Sequence, residues 1–171
     1  NWDHQKRSAL YALDLSTGKE KWKVDREEVT SWSSPLIIEH EGKNQVIVSA
    51  SKRARGYDLM NGKVIWECGG MSQNVVASPV SQNGMVYLGC SYDKRAMIAL
   101  SLKGAEGDIT DSDHVIWSTN KRTPYVPSPL LYKGTLYYLS HYQGILSVTH
   151  AKSGEVKAGP YRIDALREIY S

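Results

Sequence analysis

The sequence predicts an all-β chain of repeated four-stranded antiparallel blades, an incomplete β-propeller. Three observations predict it. An Asp–Gly–Trp spacing recurs, as Asp14, Gly18 and Trp22 and again as Asp58, Gly62 and Trp66. Ser-Pro recurs at Pro35, Pro79 and Pro129, a period of roughly 44 to 50 residues that is usual for repeat architectures. Between these markers lie short runs rich in Val, Ile, Leu and Tyr, bounded by turn residues, which read as strands.

The units follow in order. Residues 1–30 read as the end of a blade, closing through Trp22. A full blade spans 31–74: Ser-Pro, the apolar run "PLII", a turn at Gly42, the strands "QVIVSAS" and "GYDL", a turn at Gly62 and a last strand carrying Trp66. The next spans 75–123, with a turn at Gly84, the strands "MVYLGCS" and "MIALSL", and a last strand carrying Trp117. It departs from the pattern: Ser101 replaces the aspartate and the turn expands into "KGAEGDITDSDHV". The third full blade, 124–161, keeps Gly154 but has His150 and Ala158 at the aspartate and tryptophan positions. Residues 162–171 are expected to start a further blade, so that 164–170 approaches a strand although a helical turn would fit it.

Each repeated residue has a physical task. Gly18, Gly62 and Gly154 supply the positive φ of the turn between the third and fourth strands. Asp14 and Asp58 accept backbone N–H bonds at its entry. Trp22, Trp66 and Trp117, on the outermost strand, are expected to cover apolar surface against the neighbouring blade. These residues are therefore structural.

Composition bounds the rest. The chain has 171 residues, 41% hydrophobic and 23% charged, as globular domains do. No apolar run reaches the ~18 residues of a membrane span. A formal charge of +3 is too small to argue nucleic-acid binding, and the loops hold few aromatics for base stacking. Cys68 and Cys90 have neither zinc nor redox spacing. Strand assignment puts their Cα atoms beyond the ~7 Å a disulfide tolerates, so two free thiols are expected. The histidines show no zinc spacing and no G-x-S-x-G elbow is present. Asp108, Asp111 and Asp113 share a polar loop, but not in the EF-hand pattern. No catalytic, cofactor or metal residue is expected.

"LYALDLSTGKEKW" and "GYDLMNGKVIW", with Ser-Pro opening each unit, resemble the PQQ-binding-like β-propeller repeat of bacterial quinoprotein-type proteins. The architecture is WD40- or YVTN-like, and the tryptophan corresponds to the tryptophan docking motif of that repeat. The resemblance implies a periplasmic or otherwise extracytoplasmic location. It also implies a fragment of a longer propeller, whose partners are the remaining blades or a second copy completing the ring. The family includes outer-membrane assembly lipoproteins that bind other proteins, and quinoprotein dehydrogenases that use PQQ and calcium. The dehydrogenases carry an adjacent cysteine pair, whereas Cys68 and Cys90 are apart, and no calcium set of Glu, Asn and Asp is recognisable. The expected function is a non-catalytic binding or scaffolding module; a part of a PQQ-dependent dehydrogenase is the alternative.

In a four-stranded blade, the loops between strands 2 and 3 and the loops between blades share one rim. That places Lys52, Arg53, Arg55, Lys94, Arg95, Lys121 and Arg122 together, with "SHYQ" (140–143), while Asp108, Asp111 and Asp113 are expected on the opposite rim. Such a basic rim would take an anionic protein or glycan. Trp32 and Tyr125 precede innermost strands; they are expected to pack beneath loops, with a place in a binding surface as the alternative.

Overall fold

The computed structural model describes residues 1–140 and 144–166. Two strands, β1 (Ser8–Leu13) and β2 (Glu20–Arg26), form an antiparallel pair. β3 (Leu36–His40), β4 (Lys43–Ser49), β5 (Arg53–Asp58) and β6 (Val64–Gly69) form the next blade in sequence order. β7 (Val80–Gln82), β8 (Met85–Cys90) and β9 (Ala96–Ser101) continue into the third, interrupted by β10 (Gly107–Asp108) before β11 (Val115–Thr119) closes it. β12 (Leu130–Tyr132), β13 (Thr135–Leu139), β14 (Ile145–His150) and β15 (Val156–Arg162) make the last. The chain is thus all-β with antiparallel blades, apart from a 3₁₀ turn at Asp164–Leu166. That turn replaces the strand approach expected there; residues 167–171 lie outside the described residues.

The turns show why the repeat has its spacing. Asp14 Oδ1 accepts N–H bonds from Ser16 (3.1 Å) and Thr17 (3.0 Å), and the Gly18 N–H closes on the Asp14 carbonyl at 2.8 Å. Asp58 Oδ1 likewise accepts from Met60 (2.8 Å) and Asn61 (3.1 Å), and Gly62 closes on Asp58 at 2.8 Å. His150 lacks the carboxylate, yet Gly154 still closes on its carbonyl at 2.8 Å. Four hydrogen bonds from Ser16 and Thr17 bring the Asp14 carboxyl down to about 2.

The glycines have a second use. Gly62 and Gly154 are landing places for the tryptophan of the preceding blade. The Trp22 Nε1–H donates to the Leu59 carbonyl (2.9 Å), and a Cβ on Gly62 would stand 2.7 Å from the Trp22 ring. The Trp117 Nε1–H donates to the Ala151 carbonyl (2.8 Å), and a Cβ on Gly154 would stand 2.7 Å from that ring. Both rings remain half-buried, so the burial between neighbouring blades expected of all three tryptophans is complete only for Trp66, at 0% exposure.

Trp66 differs because the next turn is the expanded one. It lies over Gly56 of its own blade, where any Cβ would collide with the indole, and donates to Gln45 Oε1 at 2.9 Å. The expanded loop then covers it with Leu102, Ala105 and Ile109. Leaving Glu106, the loop runs parallel to β6, pairing Gly107 with Trp66 and Asp108 with Glu67. The blade holding Trp66 therefore has five strands rather than four.

The cores sit between blades. Leu10, Val46, Val48 and Tyr57 form the first, joined by Trp22 and Val24. Ile47, Trp66, Cys68, Val86, Leu88, Leu100 and Ile109 are among the second. Tyr87, Met97, Leu136 and Tyr138 belong to the third, with Trp117 against it. Ser-Pro acquires a reason here as well. The Ser34 N–H donates to Ser78 Oγ and the Ser78 N–H to Ser128 Oγ, each at 2.9 Å. Ser34 and Ser78 thus each tie their blade to the next through a backbone donor that the strands leave unpaired.

Trp66→Ala is expected to cost about 3–5 kcal/mol, the range for emptying a fully buried aromatic site. Trp22→Ala, which empties a half-buried one, should cost less. Denaturant unfolding of the two variants checks the order, and equal losses would contradict the assigned burial.

Candidate functional site

The rim carrying the strand 2–3 loops and the blade connectors is where loop side chains converge. Its predicted cations separate into two groups. Arg53 and Arg55, on β5, are inside an ion-pair chain. Arg55 pairs with Glu28 and, through Nε, with Glu67 Oε2 at 3.0 Å. Arg53 pairs with Glu67 and has Asp108 Oδ2 at 4.0 Å. The chain continues inward: Arg26 lies 3.7 Å from Glu28 and 3.2 Å from Asp3, with both the Arg26 and Asp3 side chains enclosed. Asp3 also takes a hydrogen bond from Ser31, and the Arg26 guanidinium lies over the Tyr57 ring at 5.6 Å. These charges link successive blades, and each opposite partner offsets the desolvation of the other.

The expected separation of signs is therefore corrected. Parallel pairing of β10 with β6 carries Asp108 up to Arg53. Beyond it, Asp111 lines a cleft of about 550 Å³ together with Lys94, Arg95, Cys68 and Asn120. Thr110 anchors this segment: its Oγ1 accepts the Gly69 N–H at 2.7 Å. Asp108 Oδ1 is taken up by the Thr110 N–H (2.9 Å) and hydroxyl (2.5 Å), so this carboxylate serves the loop rather than a cation site. Among the described residues, no group of three or more His, Cys, Asp or Glu side chains is placed to hold a metal ion.

The other predicted cations remain exposed: Lys52, Lys94, Arg95, Lys121 and Arg122. Lys121 and Arg122 line a separate cleft of about 110 Å³ with Tyr138 and Thr149. His141, Tyr142 and Gln143, three of the four "SHYQ" residues, lie outside the described residues.

Cys68 and Cys90 are both free and buried. Burial, with Asp108 and Asp111 nearby, pushes the Cys68 thiol up to about 11. Burial also raises Cys90, whose Sγ accepts the Ser72 N–H at 3.1 Å. Thiols so protonated are weak nucleophiles.

An aromatic cluster on the connectors was only half legible. Trp32 is 67% exposed, and its Nε1–H donates to Asn74 Oδ1 at 2.7 Å. Asn74 Nδ2 in turn donates to the Tyr125 hydroxyl at 3.3 Å, and Tyr125 stacks on Tyr92 with centroids 6.1 Å apart. Tyr125 packs inside, as expected; Trp32 does not. Asn74 and Tyr92 gave no repeat signal, although "SYDKR" does place an aromatic in a strand 2–3 loop.

Fold and rim together define a class: a propeller of PQQ-like repeats, with its loops held on a charge-linked platform. The family model described as outer membrane protein assembly factor BamB matches residues 4–158, and the chain belongs to that family. Among solved structures, BamB from Moraxella catarrhalis is similar, with a TM-score of 0.62 and 22% identity over 88% of this chain. At that identity the likeness is one of fold. The chain spans 46% of that structure's length. No curated protein sequence matches.

Hydrogen bonds from Arg53, and then Arg55, hold the Glu67 carboxyl below its ordinary 4.5 against the opposing effect of burial. A depressed carboxyl contributes stability above the unfolded value and loses it as pH falls through the folded one. Glu67→Gln should therefore lower stability at neutral pH and flatten its decline below about pH 4.5. Unfolding midpoints measured from pH 7 to 3 check this; a parallel decline in both proteins would contradict it.

Proposed function

We propose that the chain is part of a non-catalytic propeller that presents its connector rim to a partner protein in outer-membrane protein assembly, in an extracytoplasmic compartment. The family match over residues 4–158 carries the reading. The structure supports it with a platform whose neighbouring blades share cores and ion pairs. Rigid scaffolds with variable loops suit recognition. The exposed Lys94, Arg95, Lys121 and Arg122 suit an acidic segment of that partner. No helix among the described residues is long and apolar enough to cross a membrane. The role requires neither PQQ nor calcium. Cys68 and Cys90, buried in separate strands, do not form the adjacent cysteine pair that the dehydrogenase reading would use.

Site-specific photocrosslinking in cells tests the proposal. A crosslinker at Lys94 or Lys121 should capture an outer-membrane assembly protein, and one at Glu41, in the β3–β4 turn at the other end of its blade, should not. Lys94→Glu with Arg95→Glu should weaken the capture. Equal capture from Glu41, or none from Lys94 and Lys121, would overturn it.

A further inference from the structure

We propose that the Trp32–Tyr92 cluster is a glycan-binding platform for a neutral pyranose chain, beside Lys94 and Arg95 of the loop that carries Tyr92. It begins with two large rings facing solvent: Trp32 at 67% and Tyr92 at 57% exposure. Exposed aromatics scattered singly need no explanation. These two are joined and fixed.

The indole is clamped by its polar edge, through Nε1–H to Asn74 Oδ1 at 2.7 Å. Its backbone is clamped too, since the Trp32 N–H donates to the Val75 carbonyl at 2.7 Å. Asn74 is a non-glycine residue at φ 51°, a conformation asparagine tolerates better than most residues. That backbone conformation accompanies an amide that reaches Trp32 on one side and Tyr125 on the other. Tyr125, only 5% exposed, is the buried backing against which Tyr92 stacks, with 22° between the rings. The loop bearing Tyr92 is pinned by Asp93 Oδ1, which accepts the Gln73 N–H at 2.8 Å. Four separate segments of chain thus hold two exposed rings in place before any ligand arrives. Such preorganisation removes the ordering cost that flexible surface side chains incur on binding.

The chemistry selects the ligand. With its N–H edge engaged, the indole has its faces left for contact, and the C–H faces of a pyranose stack on aromatic faces. Rings this exposed make a platform rather than a pocket, which suits a flat sugar ring better than a branched aliphatic anchor. The Tyr92 loop also carries the charged Asp93, Lys94 and Arg95, but a neutral sugar does not need them. Ser34, Ser78 and Ser128 lie a few residues along the same three connectors. Ser78 and Ser128 accept backbone N–H bonds at Oγ, which ties these connectors together beneath the platform's chain segments. The side chains forming the platform, Trp32, Asn74, Tyr92 and Tyr125, carry no formal charge, so recognition here is expected to be insensitive to salt.

The test is calorimetric titration of the chain with cellotetraose and with the β-1,4-linked tetramer of N-acetylglucosamine, at low and high salt. The expected result is saturable, salt-independent binding of at least one of them. It should weaken by about tenfold or more in Trp32→Ala, weaken in Tyr92→Ala, and stay unchanged in Tyr132→Ala, which removes an exposed aromatic at the β12–β13 turn. Unfolding curves separate a lost site from a lost fold, and Trp32→Phe should retain binding if the ring face is what matters. No saturable binding of either sugar, binding that Trp32→Ala leaves intact, or binding abolished by salt would overturn the proposal. So would sugar-blind variants whose only defect is capture of a polypeptide, which would make the platform part of the protein interface.

Discussion

The structure depends on contact between neighbouring blades, because a blade has little core of its own. The three apolar clusters each draw side chains from two successive sheets. The tryptophan of one blade reaches the glycine turn of the next, and the geometry of both follows from that. Trp22 needs a turn without a side chain at Gly62; Trp117 needs one at Gly154. The left-handed φ of these turns and the bare Cα they present are met by the same residue type. Where the turn was replaced by a longer loop, the tryptophan turned inward onto Gly56, and Leu102, Ala105 and Ile109 took over the covering.

This dependence explains what was legible in the sequence. Asp14, Gly18, Trp22 and their counterparts recur because the same packing problem recurs, so strand order and turns could be read from spacing. Ser-Pro was legible as a marker but not as a hydrogen bond, since its partner is the next copy of itself. β10 was not legible. A parallel pair made by "GD" has no apolar alternation, and only the Trp66 edge of the neighbouring blade gives it a partner. The ion pairs were hidden for a related reason. Arg55 is partnered by Glu28 and Glu67, each on another strand or connector. Loop composition alone therefore counted Arg53 and Arg55 as available cations.

The site followed the same division. Exposed loop cations were readable from position, because topology fixes the rim on which a strand 2–3 loop emerges. The side chains that brace that rim were not. Asn74 matters through a bent backbone and two hydrogen bonds, neither of which has a sequence period. The result is a surface whose shape is set by inter-blade contacts, with function assigned to what those contacts leave exposed.

Three glycines with nearly the same φ test this account most directly: Gly18 at 69°, Gly62 at 73° and Gly154 at 72°. Nothing lies within 4 Å of a Cβ at Gly18, whereas Trp22 and Val24 crowd Gly62 and Trp117 crowds Gly154. Alanine at Gly18 should cost only the left-handed strain, about 1–2 kcal/mol. Alanine at Gly62 or Gly154 should cost about 1–3 kcal/mol more from overpacking; the excess should vanish at Gly154 when Trp117 is also alanine, and shrink at Gly62 when Trp22 is, because Val24 still stands 2.7 Å from that Cβ. Equal cost at all three glycines, or an excess at Gly154 that persists without Trp117, would contradict the claim that this contact joins the blades.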